Sequence, residues 1–239
     1  MKIVAPIFLL CVWQSIATSL HVAYFPPLDA ILLSFVSYIT SGELVVDTIS
    51  SGARFVVGVS VGVVIALLTG TAMVFSKTVN DLLIWCVAGL RALPTVAMLP
   101  IVVLIFGLND YSIVVILAAG AIVPMLGATI DGMAIVVTQY RILAQCLELP
   151  FFVALRKVYL PGSMPWLLTG LDQSIVISFK VLIIAEMLGA VSGVGFRLSD
   201  SASMLAHSKM YAVLFYIGLL GMSSTWAYNF IRNRTLRWL

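Results

Sequence analysis

Long apolar runs recur along the chain, with only short polar breaks between them. A run of about 20 apolar residues crosses roughly 30 Å of hydrocarbon as an α-helix. Six such runs predict six transmembrane helices, at residues 3–25, 53–75, 82–106, 111–135, 165–189 and 210–231. The pattern therefore predicts an all-α, multi-pass membrane protein.

Composition agrees with this prediction. Of the 239 residues, 62% are hydrophobic and 10% are charged, and the mean hydropathy is +1.15. A soluble domain of this size could not bury so much apolar side chain. No extended soluble segment is present, so we expect one transmembrane domain over residues 1–239. Residues 1–50 form the first span and an outer interfacial segment, and residues 51–239 form the core.

Two features of the N-terminal part need separate mention. The first 20 residues also resemble a secretory signal peptide, but the apolar run is long enough to remain as a first span. After it, residues 26–52 mix apolar side chains with Asp29, Glu43 and Asp47. This mixture predicts an amphipathic segment along the outer interface and not a seventh span.

The distribution of basic residues predicts the orientation. Eight Lys and Arg residues fall on the side of the termini, three fall on the opposite side, and Arg91 and Lys180 fall inside spans. Basic residues concentrate on the cytoplasmic side, so both termini are expected there. The net charge of +3 reflects this excess of basic residues on the cytoplasmic side. The chain has no clustered basic surface of the kind that binds nucleic acid.

Glycines and prolines mark features of the spans. Gly58 and Gly62 have the spacing that lets two helix backbones approach closely in a membrane. Pro94, Pro100 and Pro124 each remove a helix hydrogen bond and predict kinks or breaks.

The three cysteines lack the placement of a disulfide framework, and we expect them to be small buried hydrophobes. No Cys/His spacing predicts a metal site, so none is expected. The chain also lacks G-x-x-x-x-G-K-[ST], the loop that cradles ATP phosphates. We expect the chain to bind no cofactor and to be no enzyme.

The largest predicted cytoplasmic loop, about residues 138–162, is strongly patterned. "TQYRILAQCLE" predicts one short helix, and Leu149-Pro150 ends it and begins a second helix that runs to Pro161. Leu143, Leu147, Phe151 and Phe152 lie near the bend. Apolar side chains there need cover, either from a partner or from the membrane domain itself.

Residues 140–165 resemble the EAA loop of permease subunits of type I ABC importers. Ala144 occupies the second Ala position, Val158, Leu160 and Pro161 match the ending, and Pro165 matches a second proline of one subgroup. Other stretches are similar at family-like distances: "TSGELVVDTISSGARFVVG", "LRALPTVAMLPIVVLIFGLND", "LTGL" and "AEMLGAVSGVGF". Together they resemble the branch that imports nitrate, taurine, alkanesulfonates and some vitamin precursors.

Three positions depart from the loop pattern. Ile142 stands in place of the family's Glu, Leu143 replaces the first Ala, and Glu148 replaces the Gly that makes the turn. Pro150 could enforce the bend instead, so the hairpin is expected to persist with altered affinity or partner choice.

The resemblance implies a type I ABC importer permease fold in the bacterial inner membrane. It implies a second permease chain, expected to be identical, two cytoplasmic ATPase subunits that carry ATP and Mg²⁺, and an extracytoplasmic solute-binding protein. It also implies that residues 140–148 form the coupling helix. The loop residues assigned to ATPase coupling are Tyr140, Arg141, Leu143, Ala144, Leu147, Glu148, Pro150, Leu160 and Pro161.

Charges inside the predicted spans need an explanation, because each costs about 2.5–3.5 kcal/mol at mid-bilayer. At 100° per residue, Lys180 and Glu186 are about 240° apart around their helix and do not share a face. Lys180, with Ser178 close by, is a candidate for attracting an anionic solute along a central path, and Glu186 is a further candidate. Snorkelling of Lys180 and a structural or solvated role for Glu186 remain open. Arg91 is expected to mark a cytoplasmic boundary.

Together these features predict the permease subunit of an ATP-driven importer for a small anionic solute. One alternative is an ion-coupled secondary transporter that uses Lys180 and Glu186, although no internal repeat supports it. A membrane-embedded enzyme is a second alternative, but no nucleophile–base constellation supports it.

Overall fold

The computed structural model describes residues 4–20 and 22–235, and these are helical with short connections and no strand. The helices in chain order are α1 Val4–Leu20, α2 Leu28–Thr40, α3 Glu43–Phe75, α4 Lys77–Ala92, α5 Leu99–Phe106, α6 Asp110–Cys146, α7 Phe151–Ala154, α8 Leu160–Gly189, α9 Val194–Ser203 and α10 His207–Thr235. A 3₁₀ turn, Thr95–Met98, precedes α5, and a π-helical turn, Leu155–Tyr159, joins α7 to α8. The all-α prediction is confirmed.

Four helices of the described chain are long and apolar enough to cross a membrane: Glu43–Phe75, Asp110–Cys146, Phe151–Gly189 and His207–Phe230. They correspond to four of the six predicted spans, of which 210–231 ends one residue beyond Phe230. The first predicted span, 3–25, corresponds to α1, which is only 17 residues long, and residue 3 lies outside the described residues.

The third predicted span, 82–106, is not one continuous helix. It is α4 and α5, which are bent by 100° at a break after Ala92. Leu93 is extended and Pro94 follows it, as expected for a residue that proline keeps out of the helical region. The pair still connects the two ends of the bundle, because α3 ends at one end and α6 begins at the other.

Helix α6 is the centre of the bundle and packs along α3 on one side and α8 on the other. A methyl group at Gly58 would lie 2.6 Å from Cβ of Leu117, and one at Gly62 would lie 2.5 Å from the carbonyl oxygen of Ala118. The α3–α6 crossing therefore needs both glycines, and the predicted close approach is confirmed. Beneath it, Ile113 and other α6 side chains form a core with α5 and α8.

The segment predicted to lie along the outer interface contains α2, which packs against α10. Tyr38 is buried beside Val213, and the Phe35 ring contacts the rings of Phe215 and Tyr216. Leucines on the other side of α2 are exposed. Tertiary contact with α10 therefore holds this segment, whatever its depth in the lipid.

The expectation that the cysteines are buried is wrong. Cys11, Cys86 and Cys146 are all free and exposed. In a membrane protein the outer surface of a span faces lipid, so a thiol there does not need burial inside the protein.

Replacing Gly62 with alanine tests the α3–α6 crossing. We expect Gly62→Ala to lower the free energy of unfolding by about 1–3 kcal/mol, because the methyl group overlaps the backbone of α6. The matched control is Gly52→Ala on the same helix, where a methyl group meets nothing within 4 Å. Unfolding of both variants in mild detergent measures the difference, and equal stability of the two would contradict the packing argument.

Candidate functional site

The loop between α6 and α8 turns sharply at Glu148. Helix α6 continues without a break through Cys146, so residues 140–146 are its last turns and not a separate short helix. Leu147 caps α6, and Glu148 has φ +49°, a left-handed conformation that favours glycine. The bend is therefore made at the position of the family's Gly, with a Glu in its place. Pro150 then begins α7.

The second half of the loop also differs from the prediction. Its helix does not end at Pro161 but continues from Phe151 through the π turn into α8, where Pro161 lies in the first turn. Proline lacks a backbone N–H, and it is tolerated there because the wider π turn shifts the hydrogen-bond register just before it. The loop is thus rigidly continuous with both α6 and α8.

The loop has an inner and an outer side. On the inner side Ala144, Ala154 and Tyr159 are buried, and the Phe75 ring at the end of α3 contacts the rings of Phe151 and Tyr159 at 5.0 and 5.5 Å. On the outer side the assigned loop residues are exposed: Tyr140, Arg141, Leu143, Leu147, Glu148 and Pro150. The two assigned residues that begin α8 are half-buried: Leu160 and Pro161.

We call the exposed apolar side chains that point away from α3 the loop patch: Tyr140, Ile142, Leu143, Leu147 and Phe152. Leu147 is 61% exposed and Phe152 is 79% exposed. Arg141, Arg156 and Lys157 are exposed beside the patch. Packing on its own membrane domain therefore covers only the inner side of the hairpin, and the loop patch is free for a partner.

A buried ion pair lies at the opposite end of the bundle. Arg54 on α3 donates to Glu186 on α8 at 2.7 Å, and Glu186 is 0% exposed. Arg54 also pairs with Asp110 at 2.8 Å and donates to the Ser192 carbonyl oxygen at 2.7 Å. The Ser51 hydroxyl lies 2.8 Å from both Glu186 oxygens. These contacts join α3, α6, α8 and the α8–α9 turn.

The α8–α9 turn completes this network. The N–H of Gly195 donates to Glu186 at 3.0 Å, and the N–H of Gly193 donates to Asp47 at 3.0 Å. Gly193 has φ +117°, and a methyl group there would lie 2.5 Å from a Glu186 oxygen. Only glycine allows this approach.

Arg197 on α9 extends the network to the start of α3. It pairs with Asp47 and with Glu43, each at 2.8 Å. Partial burial lowers the pKa of Arg197, but the hydrogen bond to Asp47 and the charges of Asp47 and Glu43 outweigh it, so the pKa is raised. The second ion pair therefore fixes α9 against α3.

A cleft of about 550 Å³ opens between α6, α8 and the break in the third span. Its polar side chains are Arg91, Thr95, Asp131 and Gln173. Arg91 lies against α6, since a methyl group on Gly127 would be 2.6 Å from its Nη2 atom. Gly127 is about 26 Å along α6 from the first residue of that helix, near its middle. Arg91 therefore packs against α6 beside the cleft, and its place at a cytoplasmic boundary stays a prediction.

The residues proposed for the path are separated. Ser178 is buried and donates to the Leu117 carbonyl oxygen at 3.2 Å. Lys180 is exposed, and no described residue forms an ion pair with it. Glu186 lies in the buried network, so it is a structural tie and not a solvated carboxylate. The role of Ser178 and Lys180 in a path stays a prediction.

Some site residues were missed in the sequence. Arg54 is one of the three basic residues on the side opposite the termini and enters the prediction of orientation only, and no pattern singles out Gln173 or Asp131. A signal for the network was present, because Asp47, Ser51 and Arg54 recur at i, i+4 and i+7 on one face of an apolar helix. The cleft gave no comparable signal, because its residues come from three separate helices.

The bundle, with its kinked crossing, exposed loop and central cleft, has the fold of a transporter's membrane subunit. A chain of the MetNI methionine ABC transporter in an inward-facing conformation superimposes with a TM-score of 0.65, covering 79% of this chain and 94% of that one at 19% identity. This likeness confirms the type I permease fold.

The sequence comparisons then give the family. A model of the "Binding-protein-dependent transport system inner membrane component" family matches residues 58–237, and the chain belongs to that family. The aliphatic sulfonates transport permease SsuC of Bacillus subtilis is 27% identical over 98% of this chain and 85% of its own length. The taurine transport permease TauC of Escherichia coli is 26% identical over 96% and 86%. The nitrate import permease NrtB of Synechococcus elongatus is 26% identical over 91% and 82%.

The chain is therefore a multi-pass inner-membrane permease subunit of an ABC importer. Such a subunit transports and is not an enzyme. Family membership favours this function over an ion-coupled secondary transporter and over a membrane-embedded enzyme.

Breaking the buried pair tests the network. Glu186→Leu should lower the free energy of unfolding by about 3–5 kcal/mol, because it leaves the Arg54 charge buried without its main partner. The control is Asp110→Asn, which removes a 71% exposed partner of the same arginine and should cost less than about 1 kcal/mol. Adding Arg54→Met to Glu186→Leu should recover a large part of the lost free energy of unfolding.

Chemical unfolding in detergent measures the stability of these three variants. Similar costs for Glu186→Leu and Asp110→Asn would contradict the conclusion that Glu186 is the main partner of Arg54.

The left-handed residue in the loop gives a second test. Glu148→Gly should raise the free energy of unfolding by about 1 kcal/mol, because a left-handed conformation costs an L-residue about 1–2 kcal/mol. Glu148→Gln keeps that strain and removes only the charge, so its stability should match the parent. The same unfolding measurement in detergent compares the two, and a stabilisation by Gln as large as that by Gly would assign the effect to the charge.

Proposed function

We propose that the loop patch docks on a cytoplasmic ATPase subunit and transmits ATP hydrolysis to the central cleft. The loop patch carries this proposal, since its apolar side chains are exposed while the inner side of the same hairpin is packed on α3. Each of two permease chains, identical in our proposal, would bind one ATPase, and ATP and Mg²⁺ would be held by the ATPases. Both chain termini would then be cytoplasmic, at the same end as the loop.

The continuity of the loop with α6 and α8 supports this transmission. Leu147 is 20 residues from Gly127, so the loop patch lies about 30 Å along α6 from the cleft. A displacement of the hairpin moves both helices that line the cleft, because no flexible linker interrupts either one. Contact of Phe75 with the hairpin adds α3 to the moving part.

An extracytoplasmic binding protein would deliver the solute at the end that contains the Arg54–Glu186 network. The network gives that end a rigid surface, on which Asp110 remains exposed. The relatives' names specify sulfonates, taurine and nitrate, which all carry an anionic group, and we propose a small anionic solute here. Lys180 supports this choice, because it lies seven residues from Gln173 and therefore on the same face of α8 as the cleft.

Placing a charge in the loop patch tests the docking. In membranes that also contain the partner ATPase, Leu147→Arg should reduce ATPase co-purification about tenfold or more, since an anchor residue of an interface contributes about 2 kcal/mol or more. Membrane insertion should be unchanged, because the residue lies outside the spans. Quantitative mass spectrometry of the tagged chain, extracted in mild detergent, measures both.

The control adds the same charge at the same end but away from the loop patch. Thr78→Arg, at the exposed start of α4, should retain the ATPase at the parent level. Full recovery of the ATPase with Leu147→Arg would show that the loop patch is not the docking surface.

A further inference from the structure

The cleft contains a cation that no described residue pairs with. No carboxylate of the described residues lies within 4 Å of Arg91, and none of them forms a hydrogen bond with its guanidinium. The guanidinium is exposed to the cleft near the middle of α6. It has five donors and stays charged at every physiological pH. A charged side chain within a membrane-spanning bundle is stabilised by a partner side chain, a backbone carbonyl, water or an anion.

The surroundings of Arg91 suit a bound anion. The cleft adjoins a second one of about 340 Å³, and Ala128, Asp131 and Gln173 line both. Thr95 begins the 3₁₀ turn that follows the break at Leu93 and Pro94, and irregular backbone within a membrane occurs only where protein or a water-filled cavity covers it. Thr95 and Gln173 add neutral donors next to the charge. The two clefts thus offer one permanent cation, two neutral donors and room for a small molecule, with the carboxylate of Asp131 at one side.

We propose that Arg91, Thr95 and Gln173 form a binding station inside the membrane for the oxyanion group of a small solute. Its use as a step of import depends on the proposed function, but the anion site itself does not. A guanidinium offers two parallel N–H groups to a sulfonate, carboxylate or nitrate. Arg91 is therefore a specificity-determining residue of the permease.

Two other charges, one on each side of the station, make the electrostatic potential along the cleft asymmetric. Lys180 lies about 10 Å from Gln173 along α8, toward the network end, and Asp131 lies about 6 Å from Gly127 along α6, toward the loop end. An anion that enters at the network end meets Lys180 and then Arg91. Asp131 repels it beyond that point, which keeps the station's affinity low enough for release.

The electrostatic potential at the station can be measured without the solute, the ATPase or the binding protein. In full-length permease whose three native cysteines are changed to Ser, Gln173→Cys is treated with a sulfonatoethyl or a trimethylammonium-ethyl methanethiosulfonate. The ratio of the two reaction rates reports the local charge. Arg91→Gln should lower the anion-to-cation ratio about tenfold or more.

The controls separate charge from folding. Arg91→Lys should retain most of the ratio, and Arg156→Gln, which removes an exposed arginine of the loop, should leave it unchanged. Asp131→Asn should raise it. If the thiol introduced by Gln173→Cys reacts with neither reagent, or if Arg91→Gln leaves the ratio unchanged, the station does not exist.

A competition experiment then tests binding. Methanesulfonate should slow the modification of the thiol introduced by Gln173→Cys in the presence of Arg91 and have little effect in Arg91→Gln, while neutral dimethyl sulfone should not protect in either. Protection by both compounds would mean a nonspecific cavity and would overturn the proposal. The importer assignment is tested separately, because the absence of a co-purifying ATPase would contradict it. Failure of the anion station and failure of the importer assignment are therefore distinguishable.

Discussion

The buried Arg54–Glu186 pair is the interaction on which one end of this bundle depends. Each charge would be costly alone in a low-dielectric interior, and together with Ser51, Ser192 and the Gly195 N–H they satisfy each other. The pair joins three long helices that begin or end there. Hydrophobicity cannot drive such joining in lipid, where the tails are as apolar as the side chains, so polar contacts and close packing must hold the helices together.

Close packing holds the helices together along the rest of the bundle. Glycines of α3 lie directly on the backbone of α6, and Gly132 and Gly170 bring α6 and α8 together in the same way, since a methyl group at either would overlap the opposite helix. The three helices are therefore packed against each other along most of their length. In the proposed function, this packing would carry a displacement of the hairpin that joins α6 to α8 to the cleft.

Two groups of charged residues differ in how they are paired. Those of the network are paired with each other and hold the fold. Arg91, Lys180 and Asp131 face open space, and no ion pair joins them to another described residue. Unpaired charge at membrane depth is the usual mark of a path for solutes.

The sequence by itself determined the all-α class, four of the spans, the glycine crossing and the patterned loop, because apolar length, small-residue spacing and local helix signals are properties of neighbouring residues. It did not reveal that the third span breaks by 100°, that the hairpin is continuous with α6 and α8, or that Glu148 makes the turn. Arg54 and Glu186 are 132 residues apart, and Arg91 meets Gly127 across two helices. Only the tertiary structure decided these contacts, because a buried charge is satisfied by whichever groups the fold brings within hydrogen-bond distance, and sequence spacing does not contain that information.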